Sequence, residues 1–244
     1  MDVQDLDPAS RRSVLQPVTA AQCAVQSLLD DLVARDVERG LQVAAYYKGE
    51  LVVDAWAGLA DAATGRTVDS ETLFCVFSCT KGVTATAIHR LAECGLIAYD
   101  APVAAYWPAF GCRGKERITI RQVLSHTAGV PYMPEGVTVE EMCDWERMCA
   151  RIADLAPVWE PGTRTAYHAL TFGWILGEVA RRVDGRPFAR LVQEEIADPL
   201  GAELYLGIPD VAEASQVTAR IATLEGGAAP TGVPEDSPMW RRMP

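Results

Sequence analysis

The sequence predicts an α+β protein of the α/β-sandwich type, in which an N-terminal helix and an antiparallel β-hairpin precede a large helical lobe. Three observations lead there. Residues 20 to 39 carry apolar side chains at helical spacing, two apolar and aromatic runs flank a turn at Lys48-Gly49-Glu50, and strand signals almost vanish from about residue 100 onward. The 244 residues, 49% of them hydrophobic, suffice for a sizeable core in one large domain or two interleaved lobes.

The elements follow in chain order. Val25, Leu28, Leu29, Leu32, Val33 and Val37 line one side of the first helix, and Gly40 is its stop signal. Leu41 to Tyr47 and Leu51 to Ala57 form the hairpin, and neither run alternates cleanly, which is the pattern of a sheet covered on both faces. A Gly- and Asp-rich connection leads to Ser78, where a helix begins and continues through Val83, Ala87, Ile88, Leu91 and Ala92 to Gly95. Two capping boxes, Thr119-x-x-Gln122 and Thr138-x-x-Glu141, start further helices, the second carrying Met142, Trp145, Met148, Cys149 and Ile152 on one side. Residues 170 to 184, closed by Gly185, and 187 to 197 complete the helical set. The expected division is a tail over 1–19, a partial α/β domain with the Ser78 helix over 20–99, a helical lobe over 100–225, and a Pro- and Gly-rich extended or disordered tail over 226–244.

Composition excludes several partners. A formal net charge of -11 argues against nucleic acid, whose phosphates require clustered Lys or Arg, and disfavours anionic membranes on the same ground. The opening residues lack the basic end and apolar stretch of a signal peptide, and no long apolar run occurs, so cytoplasmic residence is the expectation. The seven cysteines (23, 75, 79, 94, 112, 143 and 149) form no C-x-x-C, and with only three histidines there is no zinc spacing. Their odd number suits free, mostly buried thiols.

One local pattern carries chemistry. Ser78 and Lys81 stand three residues apart in a chain with three lysines and eight serines. Chance alone would give such a pair roughly 0.1 times. On a helix i and i+3 share a face, so the hydroxyl lies beside the amine, and a neutral amine there takes a hydroxyl proton. The helix N-terminus and burial both disfavour the ammonium form. The motif by itself is equally compatible with a capping serine followed by a solvated lysine. Cys79 is a rival nucleophile only if a histidine serves as its base, and no local pattern nominates one.

Four stretches together resemble the serine beta-lactamase and penicillin-binding-protein superfamily, in particular its class C-like branch of esterases and D-amino peptidases. They are Ser78-Cys79-Thr80-Lys81; Val123-Leu124-Ser125-His126-Thr127-Ala128-Gly129-Val130-Pro131; Glu160-Pro161-Gly162-Thr163 leading to Tyr167-His168-Ala169; and Ile196-Ala197-Asp198-Pro199-Leu200-Gly201. Order and spacing agree over roughly residues 20 to 210. The resemblance implies a beta-lactamase-like sheet and an acyl-enzyme on Ser78, with Lys81 and Tyr167 as proton-transfer groups and no metal or organic cofactor. It also implies an oxyanion hole made by the Ser78 backbone N–H and a donor from a later strand. The implied substrate is a small ester or amide.

Other residues are weighed against that frame. His168 and Trp159 are candidate substrate contacts, although Tyr167 and the tryptophans at 107, 145, 159 and 174 also suit plain core packing. His126 and Gly129 are expected to brace the turn near the site, and His89 to pack inside the Ser78 helix. Ala169 departs from the asparagine usual in the third motif and offers no side-chain amide, which shifts the expected substrate from beta-lactam or peptide toward ester. The returning strand with its Lys or His, Thr and Gly motif is expected to be missing, since the last lysine is Lys115 and the last histidine His168. The alternatives are therefore a truncated, poorly active or inactive member of the family, or a binding protein without chemistry. An unpaired sheet edge would further invite self-association.

Overall fold

Helix α1 (Ala20–Ala34) opens the part of the chain that the computed structural model describes, residues 20–208 and 211–225; the two expected tails lie outside the described residues. α1 ends at Ala34 rather than at Arg39. Asp36 takes a φ of 55°, Asp36 N–H bonds to Val33 O, and Val37 N–H reaches back to Leu32 O, which is the closure of a Schellman motif. Val37, which extends the apolar period in the sequence, is the apolar residue that such a cap places just beyond its helix.

The hairpin forms as expected. β1 (Gly40–Tyr47) and β2 (Glu50–Asp61) are antiparallel, with Tyr47 paired to Glu50 across a two-residue loop. Lys48 and Gly49 have φ of 52° and 86°, the positive values a type I′ turn demands. β2 runs past the expected end and pairs with a third strand, β3 (Arg66–Thr67), whose two residues are too few to show alternation in a sequence. The sheet order is β1-β2-β3. α1 packs on β2 around buried Leu29, Val53 and Ala55. The Gln22 amide satisfies both backbone groups of Asp54, at 3.0 and 2.8 Å, and Gln26 donates to Trp56 O.

Contacts divide the described residues into two compact units, one holding residues 20–75 with 208 and 211–225, the other holding 76–207. In this division the Ser78 helix groups with the helices that follow it. α10 (Val211–Arg220) and the stretch after it return to the sheet unit, where Ile221 bridges Leu73 and Arg66 donates to Ile221 O.

The helical unit contains α2 (Thr80–Glu93), α3 (Val103–Tyr106), α4 (Ile120–Leu124), α5 (Val139–Met142), α6 (Trp145–Ala153), α7 (Thr171–Asp184), α8 (Phe188–Val192) and α9 (Asp198–Leu200). Both capping boxes are present at Thr119 and Thr138. The helix expected after Thr138 is broken in two because Asp144 caps α6, its carboxylate accepting from Arg147 N–H. α8 runs into a π-turn over Gln193–Ala197, so the expected helix over 187 to 197 is bent in register. α2 and α7 contribute Ile88, Leu91, Ile175, Leu176 and Val179 to a core shared with Trp107, Phe110, Met148 and Ile152.

Two charged groups are buried in that core. Lys115 Nζ donates to the carbonyls of Cys112 at 3.0 Å, Ala153 at 2.9 Å and Leu155, and burial lowers its pKa below the ordinary lysine value. Burial alone would raise the Glu178 pKa, yet hydrogen bonds from Arg181, Trp145 and Arg182 outweigh it and hold the carboxyl below its usual range.

A turn after α4 and a strap over residues 157 to 170 are tied together by backbone bonds. Val158 N–H donates to Gly129 O, Gly162 N–H to Thr127 O, and Ala166 N–H to His126 O. Gly129, at a φ of 81°, lies so close to the strap that an added Cβ would come within 2.8 Å of Trp159 O. Both the left-handed backbone and the lack of space forbid a larger residue. Gly129→Ala is expected to lower stability by about 1–3 kcal/mol in urea unfolding. Gly49→Ala, whose added Cβ meets nothing within 4 Å, is expected to cost less than Gly129→Ala in the same assay.

Candidate active site

Ser78 is the middle residue of a short 3-10 turn, Phe77–Cys79, that feeds directly into α2. The turn opens on strained backbone. Phe77 has a φ of 42°, uncommon for a bulky aromatic residue. Neither the turn nor α2 has a side-chain cap, so the serine hydroxyl does not spend itself on the helix N-terminus. Its partner is Lys81, whose Nζ lies 3.1 Å from Ser78 Oγ.

The lysine is half-buried and held at two further points. Nζ donates to Ala169 O at 2.6 Å and sits 4.7 Å from the centre of the Tyr167 ring. The strap therefore reaches the serine–lysine pair through two of its residues. Hydrogen bonding of the Tyr167 phenol with Lys81, and next with Ser78, lowers its pKa below the ordinary tyrosine value. Tyr167 is itself 54% exposed, so the group opens to solvent.

Ala169 acts through its backbone: the residue without a side-chain amide supplies a carbonyl that anchors the lysine. Sequence patterns gave no sign of this contact, because any residue carries that oxygen.

The histidines lie behind the phenol. His126, at a φ of 59°, packs its ring 5.1 Å from those of Tyr167 and Phe172, and its Nδ1 accepts the His168 N–H at 3.1 Å. His168 is fully buried, with Nε2 accepting from Val130 N–H at 3.2 Å and Nδ1 donating to Ala166 O at 2.7 Å. That leaves no ring nitrogen free for a substrate. Burial, then the nearby Lys81 charge, lowers the His126 pKa, and burial likewise lowers that of His168. Both rings are therefore neutral in their bracing arrangement at ordinary pH.

Trp159 packs edge-on to His168 at 6.3 Å, and its indole nitrogen is buried with no acceptor among the described residues. No contact brings it to Ser78 or Lys81. Trp145 and Trp174 instead border an apolar cavity of about 520 Å³ with Leu170 and Phe188, while Trp107 is buried in the core. His89 is exposed rather than partly buried, and it both packs edge-on against Tyr99 at 5.6 Å and bonds its hydroxyl through Nδ1 at 2.8 Å.

All seven cysteines are free, but only Cys149 is buried and five are exposed, contrary to the expected burial. The thiols avoid the core because most stand at helix ends and loops, where the apolar period does not apply. Among the described residues no three His, Cys, Asp or Glu side chains are grouped to hold a metal ion, and no helix is long and apolar enough to cross a membrane.

Comparison with known proteins agrees with this arrangement. Residues 25–240 match the family model described as Beta-lactamase. The chain is 46% identical to the esterase/beta-lactamase LipL of Mycobacterium tuberculosis over 171 residues, which cover 70% of this chain and 39% of that protein. A crystal structure of a family VIII carboxylesterase superposes with a TM-score of 0.76 at 39% identity, covering 84% of this chain and 55% of the other. A penicillin-binding-protein homologue from Caulobacter crescentus gives a TM-score of 0.79 at 36% identity, covering 89% of this chain and 57% of the other. The chain thus spans about two-fifths to just over half the length of these relatives. With a mixed helix-and-sheet fold and a family match over most of its length, this chain belongs to the beta-lactamase family.

Proposed function

We propose that the chain carries a serine-hydrolase site that cleaves small esters through an acyl-enzyme on Ser78. The observation that carries this reading is the approach of Lys81 Nζ to Ser78 Oγ at 3.1 Å, with the Tyr167 ring centred 4.7 Å from the same nitrogen. Ser78 Oγ attacks the ester carbonyl, and its proton passes to the Lys81–Tyr167 pair. With Lys81 Nζ donating to Ser78 Oγ and to Ala169 O, an ionised Tyr167 accepts the hydroxyl proton. Collapse of the tetrahedral intermediate breaks the ester C–O bond, and the pair returns the proton to the leaving alcohol. Water, activated by the same pair, then frees the acid and restores Ser78.

The Ser78 backbone N–H is one oxyanion donor in this reading. Loss of a single donor typically costs about 10² to 10³ in rate. In a second reading, Ser78 acylates with little turnover. His126 and Gly129 serve as supports for the Tyr167 strap, and His168 as an internal brace rather than a substrate contact. The seven free thiols support a reducing, cytoplasmic setting. The outer edge of β1, unpaired among the described residues, is a surface through which two copies could associate.

p-Nitrophenyl acetate or butyrate is expected to add one acyl group to the protein, read by intact mass, and Ser78→Ala is expected to abolish it. Sustained nitrophenolate release supports the first reading, a single stoichiometric burst the second, and no labelling would leave a binding protein without chemistry. A pH profile tests the phenol. Tyr167 works as a base only when ionised, so acylation is expected to fall as pH drops through its pKa, with an inflection below the tyrosine norm of about 10. Tyr167→Phe should remove that inflection and slow acylation by about 10² or more; an unchanged profile would exclude the phenol.

A further inference from the structure

The residue just before the serine has no structural reason to be large. Phe77 combines a left-handed φ of 42° with 63% exposure, and it belongs to no buried cluster of its unit and meets no other ring among the described residues. An aromatic side chain there bears backbone strain and returns no packing to the core. Val76 beside it is 48% exposed, and Tyr167, over whose ring Lys81 Nζ sits, is 54% exposed. Exposed apolar groups thus border Ser78 from two separate segments of the chain.

Resting on the reading of Ser78 as the nucleophile, we propose that Val76 and Phe77 form an apolar shelf for the acyl group, so that the site prefers esters of medium-chain alkyl or aryl acids to acetate esters. Consecutive Cα atoms are about 3.8 Å apart, so the Phe77 side chain lies within the span of an acyl chain of several carbons bonded to Ser78 Oγ. An acetyl group, with a single methyl, does not. The contact is with the acyl portion because that portion stays bonded to the serine when the alcohol leaves. Burial of methylenes against a partly exposed ring gives a graded preference that rises with chain length and stops where the chain passes the ring edge.

The test compares p-nitrophenyl acetate with p-nitrophenyl octanoate. The leaving group is common to both, so the ratio of their second-order acylation rates, followed by nitrophenolate burst and intact mass, reports the acyl chain alone. The octanoate-to-acetate ratio is expected to be about tenfold in the wild-type chain, to fall to near one in Phe77→Ala, and to be largely kept in Phe77→Leu. Val76→Ser is expected to lower the ratio about threefold and provides a second reading if Phe77→Ala fails to fold. A wild-type ratio near one, or a ratio unmoved by Phe77→Ala and Val76→Ser, would overturn the proposal while leaving Ser78 as the nucleophile. Labelling by neither ester would remove both.

Discussion

Tyr167 meets Lys81 because the strap that bears it is fastened to the turn after α4, and everything that reaches the serine–lysine pair from outside α2 depends on that fastening. The turn contains two residues at positive φ, His126 and Gly129, and each holds the strap through a different chemistry. Gly129 lets the two backbones approach to hydrogen-bond distance, and His126 gives its carbonyl to Ala166 N–H and its Nδ1 to His168 N–H. The Thr171 hydroxyl then donates to Val130 O at 2.7 Å, joining the start of α7 to the same turn. Tyr167 and Ala169 sit on either side of His168, so fixing the backbone of His168 aims both neighbours at the lysine.

Electrostatics follow from this arrangement. Two neighbours of Lys81 have lowered pKa values: Tyr167 mainly through Lys81 itself, which favours the ionised phenol, and His126 mainly through burial and then through Lys81, which favours the uncharged imidazole. The other buried charged groups, Lys115 and Glu178, are satisfied locally, one by hydrogen bonds to backbone carbonyls and the other by two arginines and an indole. They stiffen the helical unit without adding charge to the neighbourhood of Ser78. A buried charge fully supplied with partners is costly to strip of them, which suits positions that hold loops in register.

Much of this was legible in the chain. The i, i+3 pair Ser78 and Lys81, the two capping boxes, the hairpin turn and the order of four motifs all express local rules, and local rules survive folding. The break at Asp144 and the early end of α1 were hidden because an apolar period runs through both points while a single polar or left-handed residue overrules it. The π-turn after α8 belongs to the same class. Ala169 was read by what its side chain lacks, whereas its backbone carbonyl does the holding, and no sequence pattern marks a carbonyl. His168 shows the reverse case: a polar residue beside a candidate base invites a role in binding, yet two backbone groups on the same strap and turn occupy its ring.

The sheet is asymmetric at its borders. Gln22 and Gln26 of α1 occupy backbone groups of β2, and β3 takes up its far end, while Gly40–Tyr47 carries no charged side chain that would turn another strand away. Near its end a bulge at Ala45 and Tyr46, with Val52 as the extra residue, adds local twist to the ladder, in which the exposed Tyr46 and Tyr47 still pair with Leu51 and Glu50. A strand that joins this sheet along β1 therefore meets a regular edge over Gly40–Ala45 and a more twisted one at the tyrosine pair, so the two ends of that edge are not equivalent templates.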